Sequence, residues 1–133
     1  MTLRAILTTI ALLLAFSTTL AAQGVTLKAD ARVRYGNAER CTQPALVDYQ
    51  KIKKLTPEWK LIKADGIDKG SARYELLIED MNKRIQRICA EVAKTLGKDC
   101  ILRRGDVESE KGLVVSDITD DVVAKLESDT VAT

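Results

Sequence analysis

Few residues in this 133-residue chain can do covalent or metal chemistry, and what is missing decides as much as what is present. There are three cysteines, Cys41, Cys89 and Cys100, and no histidine. Without histidine there is no Ser-His-Asp triad, no Cys-His pair, no HExxH zinc helix and no imidazole proton shuttle. No two cysteines have the CxxC spacing of a thioredoxin-type redox site, and three scattered thiols make a poor metal set. Gly66 and Gly70 lack the Gly-Lys-Ser/Thr ending of a phosphate-binding loop, so nucleotide dependence is not expected. Asp117, Asp120 and Asp121 crowd together, but they fall where a helix would begin, and acidic side chains there offset the positive end of its dipole. The remaining chemistry is a disulfide. Cys41 and Cys100 each fall at the start of an expected strand, which favours that pair; three separate thiols are the alternative. These residues describe a binding protein and not an enzyme, with no cofactor and no metal.

The elements that must position these residues begin after a removable segment. Met1 to Arg4 carries one positive charge, and Ala5 to Phe16 is an apolar run of 12. Crossing a bilayer takes ~20 residues, and the small residues Ser17 to Ala22 suit a signal peptidase. Residues 1–22 therefore read as a secretory signal peptide, leaving 111 residues exported in soluble form to the periplasm or a similar compartment. No later run is long and apolar enough to span a membrane. Charge is unevenly divided. Gln23 to Arg104 holds 18 basic and 11 acidic residues, a net of +7, whereas Gly105 to Thr133 holds 2 and 8, a net of −6. A basic body with an acidic end can attract acidic partners or pair head to tail. Nucleic acid is not among the expected partners.

Along the exported part, residues 23–43 show weak alternation and read as a poorly defined arm or edge strand. An apolar strand is expected at 44–48, followed by a helical hairpin over about 49–97. Thr56 and Pro57 mark a helix restart, with Thr56 as the cap and Pro57 in the first turn, where no N–H donor is needed. Gly66, Gly70 and Ser71 supply turn and cap chemistry. Beyond them Tyr74, Ile78, Met81, Ile85, Ile88 and Val92 recur at intervals of 4, 3, 4, 3 and 4 residues, the spacing of a coiled-coil seam. Gly97 suits a left-handed helix end. Further strands are expected at 99–104 and 112–115, joined by a polar loop. A last helix is expected at 119–128, capped by Thr119, with Ile118, Val122 and Leu126 on its inner face and fraying beyond Glu127. The fold class is α+β: a small β-sheet body, a coiled-coil helical hairpin and a C-terminal capping helix.

Read in order, these pieces carry a resemblance. An apolar strand runs into Asp48, and Thr56-Pro57-Glu58-Trp59 starts a helix. Glu91-Val92-Ala93-Lys94 precedes Gly97, Leu102-Arg103 lies in a strand, and Asp117-Ile118-Thr119-Asp120-Asp121-Val122 opens the last helix. In these features residues 44–133 resemble the OmpH/Skp-type family of periplasmic chaperones, with Asp117, Ile118, Thr119, Asp120 and Val122 as the sharpest match. The resemblance implies a homotrimer whose helical hairpins surround unfolded outer-membrane proteins without ATP. This chain has only Tyr49 to Gly97 for both arms, a stub beside the family's long tentacles. The alternative is a structural coiled-coil protein of the envelope that forms oligomers or scaffolds a partner without holding clients.

Overall fold

The computed structural model describes residues 24–132; the expected signal peptide lies outside the described residues. The chain order is β1 (Thr26–Leu27), β2 (Val33–Gly36), a 3-10 turn (Ala38–Arg40), β3 (Pro44–Val47), α1 (Tyr49–Leu55), α2 (Pro57–Ala64), α3 (Ala72–Leu96), β4 (Cys100–Arg103), β5 (Val107–Ser109), β6 (Ser116–Asp117) and α4 (Thr119–Val131). The fold is α+β. Its main sheet has the order β2-β4-β3-β6, with β2 antiparallel to β4 while β3 runs parallel to both β4 and β6. β1 and β5 form a separate antiparallel pair. Parallel neighbours cannot be joined by a tight turn, so the α1–α3 hairpin is the crossover that carries the chain from β3 to β4.

The helix boundaries follow local chemistry. Asp48 caps α1 by accepting from the Lys51 N–H (3.1 Å), Thr56 caps α2 by accepting from the Trp59 N–H (3.3 Å), and Ser71 caps α3 by accepting from the Tyr74 N–H (3.2 Å). Pro57 breaks the outgoing arm, because the residue before a proline is pushed out of helical geometry; Thr56 sits at ψ 143° between α1 and α2. Gly97 ends α3 at φ 67°, a left-handed conformation that costs glycine nothing.

Helix α3 supplies the centre of the core. On α3 the buried residues are Met81, Ile85, Ile88, Cys89, Val92 and Ala93, and none lies earlier in the helix. They pack with Ala45 and Val47 of β3, Ile101 of β4, Ile52 of α1, and Ile118, Val122 and Leu126 at and along α4. The 4-3 stripe is therefore satisfied within one chain. Tyr74 and Ile78, at its outer end, are half-buried in the hairpin.

Of the two readings of this segment, arm or edge strand, the described residues 24–43 form the edge strand: β2 lies at the edge of the main sheet, hydrogen-bonded to β4, and Val25, Ala38 and Cys41 form a second small core with Cys100 and Leu102. Three expectations are corrected. No strand forms at 112–115. Lys111 (φ 48°) and Gly112 (φ 76°) turn the backbone, Val114 is 83% exposed, and pairing falls instead at Val107–Ser109, within the expected loop, and at Ser116–Asp117. Thr119 is the first residue of α4 and not its cap; the capping position is Ile118, which offers no side-chain oxygen. The helix also continues to Val131, held near its end by Arg84 and Arg87 on Asp129.

Ile85 is 1% exposed at the centre of this core. Ile85→Asp buries an unpaired carboxylate, a penalty of several kcal/mol in a fold of ordinary marginal stability. The variant is expected to lose cooperative thermal unfolding by circular dichroism; an unchanged transition would contradict the assigned packing.

Candidate functional site

The parallel strands bring three polar residues to one end of the sheet. Asp48 follows β3, Arg104 follows β4, and Asp117 ends β6. Arg104 Nε donates to Asp117 Oδ2 (3.1 Å), its Nη2 also contacts Asp117 Oδ2, and its Nη1 lies 3.5 Å from Asp48 Oδ2. Thr119 Oγ1 donates to Asp117 Oδ1 (2.6 Å) and accepts from the Asp48 N–H (2.9 Å). Asp120 reaches Lys51 of α1 (3.1 Å), while Ile118 and Val122 are buried beneath. The five motif residues thus form a latch that fixes the starts of α1 and α4 to the sheet. Partial burial would raise the Asp117 carboxyl, but hydrogen bonds from Thr119 and Arg104 outweigh it and hold the group below the usual aspartate range.

Cys41 and Cys100 are joined in a disulfide with Cα atoms 5.8 Å apart, tying the segment before β3 to the start of β4. Neighbouring Asp99 accepts from the Thr42 N–H (2.8 Å), Thr42 Oγ1 (2.7 Å) and the Gln43 N–H (2.8 Å). Burial would raise its carboxyl, and these three donors outweigh that and lower it. Cys41, Asp99 and Cys100 place a sulfur or oxygen each within 4.8 Å of one another, the only such grouping among the described residues. Both sulfurs are committed to each other, so the cluster is a staple and not a ligand set. Cys89 is a free, fully buried thiol pushed up to about 11 by burial, against the opposing pull of Arg34. A nucleophile needs the thiolate, which this position disfavours.

Sequence reasoning missed three features, two of which join residues far apart in the chain. An ion network joins α2, α3 and α4: Glu58 to Arg84 (2.9 Å), Arg84 and Arg87 to Asp129 (both 2.8 Å), and Lys125 to Glu91 (3.0 Å). On edge strand β2, Arg34 lies over the Tyr49 ring (3.9 Å), and the Tyr49 hydroxyl donates to Asn82 (2.9 Å).

The third feature is a concavity of about 460 Å³ at the hairpin end, with Ile62, Ile67 and Tyr74 in its apolar lining and Lys53, Lys63 and Lys69 on its border. Lys53 Nζ sits 3.7 Å and Lys63 Nζ 5.0 Å from the centre of the Trp59 ring, within cation–π range. Among the described residues none of these three lysines forms an ion pair. Asp65, at the nearby turn, is held by Arg73 (3.1 Å). The Lys53 ammonium is pulled below the usual lysine range by desolvation first and then by Lys63 and Lys69. The lysine-rich spacing around Trp59 was the available signal.

Comparison with protein-family models, with curated proteins and with solved structures found no match.

Two predictions follow from the staple and the latch. Without reductant the denatured protein should titrate one thiol, Cys89, and with reductant three. Loss of the bridge in a Cys41→Ser/Cys100→Ser variant should cost about 4 kcal/mol in the chain-entropy view of a closed loop this long, read as a lower midpoint in guanidinium. Three thiols before reduction would contradict the bridge. For Asp99 and Asp117 the folded carboxyls lie below their unfolded range near 3.9, so their contribution is fully present above that value and lost as pH falls through the folded values. With no histidine, Tm should be nearly flat from about pH 5.5 to 8 and drop steeply below about 4. Asp99→Asn should make the acid limb shallower; an unchanged limb would contradict the role given to Asp99.

Proposed function

We propose that this protein is an exported, ATP-independent holdase of the OmpH/Skp kind, without enzymatic activity, that keeps segments of unfolded envelope or outer-membrane proteins from aggregating. The observation that carries the reading is the outer end of the hairpin. Before Met81 no residue of α3 is buried, Leu61 is 39% exposed and Leu76 is 62% exposed, and the lysines around Trp59 are without ion pairs among the described residues. A holdase needs apolar surface that other chains can use and charge that steers them, with no nucleophile and no nucleotide. The motif Asp117, Ile118, Thr119, Asp120 and Val122 supports the family reading, since its residues close the body and leave the hairpin end free.

Size sets the mode of action. The part of α3 before its first buried residue is Ala72–Asp80, which reaches about 13 Å at 1.5 Å per residue. Arms of that reach clasp a segment of chain and do not enclose a folded barrel. A homotrimer, as the resemblance implies, would array three such ends. The scaffold alternative draws less support, because Met81, Ile85, Ile88 and Val92 are spent on the chain's own core and offer no intermolecular coiled coil.

The test is light scattering from a urea-diluted outer-membrane protein with increasing amounts of the mature protein. Suppression should saturate near stoichiometric ratios and need no nucleotide. Absence of suppression at every ratio would overturn the holdase reading.

A further inference from the structure

The concavity around Trp59 combines apolar lining with three lysines. Three lysines are among the residues that line it: Lys53 on α1, Lys63 on α2 and Lys69 in the turn. Bringing like charges together costs free energy unless an anion lies among them, and among the described residues no carboxylate pairs with any of the three. Of the nearby carboxylates, Asp65 is held by Arg73 and Glu58 by Arg84, and Asp68, next to Lys69 in the turn, forms no ion pair with the three lysines among the described residues. The depressed Lys53 ammonium registers the same crowding and desolvation. Between the charges lies apolar lining from Ile62, Ile67 and Tyr74.

We propose that this cradle is a binding site for an acidic polypeptide segment, one whose Asp or Glu side chains sit among Lys53, Lys63 and Lys69 while a flanking apolar side chain enters against Ile62, Ile67 and Tyr74. Polypeptide as the ligand rests on the holdase reading; the demand for negative charge beside an apolar group rests on the cradle alone. Lysines act as separate point charges and not as bidentate forks, which suits carboxylates spaced along a chain. A membrane surface fits less well. Trp59 is only half-exposed, with Lys53 and Lys63 within cation–π distance of its ring, and it does not stand out as an interfacial anchor. The site also gives the hairpin a preference: acidic stretches of a client are held there in preference to basic ones.

The chain contains one tryptophan, and it lies inside the cradle. Its fluorescence reports occupancy directly, because bound carboxylates draw Lys53 and Lys63 away from the ring. The mature protein would be titrated with three peptides of equal length and equal Leu and Phe content whose polar residues are Glu, Gln or Lys. Vesicles of anionic phospholipid form a fourth arm. The expected result is a saturable change with the Glu peptide alone, abolished in 0.5 M salt (a Debye length of about 4 Å) and weakened at least tenfold in Lys53→Gln/Lys63→Gln, whose fold is checked by circular dichroism. A saturable response to the Gln peptide of equal strength, retention of binding in the variant, or a response to vesicles without one to the Glu peptide would each overturn the proposal. Aggregation assays on the same proteins separate the two readings. Suppression without Glu-peptide binding leaves the holdase standing and removes the cradle as its site. Peptide binding without suppression keeps the cradle and removes the holdase.

Discussion

The fold depends on one stripe of side chains. Met81, Ile85, Ile88 and Val92 run down the inner face of α3, and residues of β3, β4, α1 and α4 pack with them in one core. A chain with four aromatic residues after position 22 cannot build its core from large rings. It uses β-branched and linear aliphatic groups on one 25-residue helix, laid across a sheet of four short strands. Strands of two to four residues are marginal alone, and a helix packed across them is what makes such a sheet stable. Helix α4 then closes the stripe from the other side through Ile118, Val122 and Leu126.

Covalent and polar restraints hold the periphery to that core. The Cys41–Cys100 bridge and the Asp99 hydrogen bonds fasten the chain entering β3 beside the start of β4. At the far end of the same strands, Arg104, Asp117 and Thr119 fasten the chain leaving them. The strands are thus pinned at both ends, by covalent chemistry at one and ionic chemistry at the other. Hydrogen bonds hold the Asp99 and Asp117 carboxyls below the usual aspartate range, while burial pushes the Cys89 thiol up to about 11.

What the sequence made legible follows from how local the signals are. Thr56, Pro57, Ser71 and Gly97 fix helix ends through contacts a few residues away, and those ends fall where their chemistry indicates. The 4-3 stripe identified the core helix, but periodicity does not say whether a face packs on its own chain or on another. The Gly112–Val115 segment misled because β propensity is realised only where a neighbouring edge is available, and the available partners lay at Val107–Ser109 and Ser116–Asp117. Thr119 misled because its hydroxyl serves the Asp48 N–H, a partner 71 positions away. The lysine cradle joins residues from α1, α2 and a turn, and only the fold assembles it.

The hairpin end combines exposed apolar side chains, Leu61 and Leu76, with lysines that form no ion pair among the described residues. If the protein is a holdase, contact with unfolded protein should be made there and not on the body. Site-specific photocrosslinking tests this most directly. A benzophenone side chain would be placed at Leu61 on the hairpin end and, separately, at Glu127 on α4 of the body, each exposed in the fold. On adding a urea-diluted outer-membrane protein, the Leu61 position should yield abundant crosslinks to the unfolded client and few once the client has folded, with little from Glu127. Equal crosslinking from both positions, or crosslinks from Glu127 alone, would contradict the account.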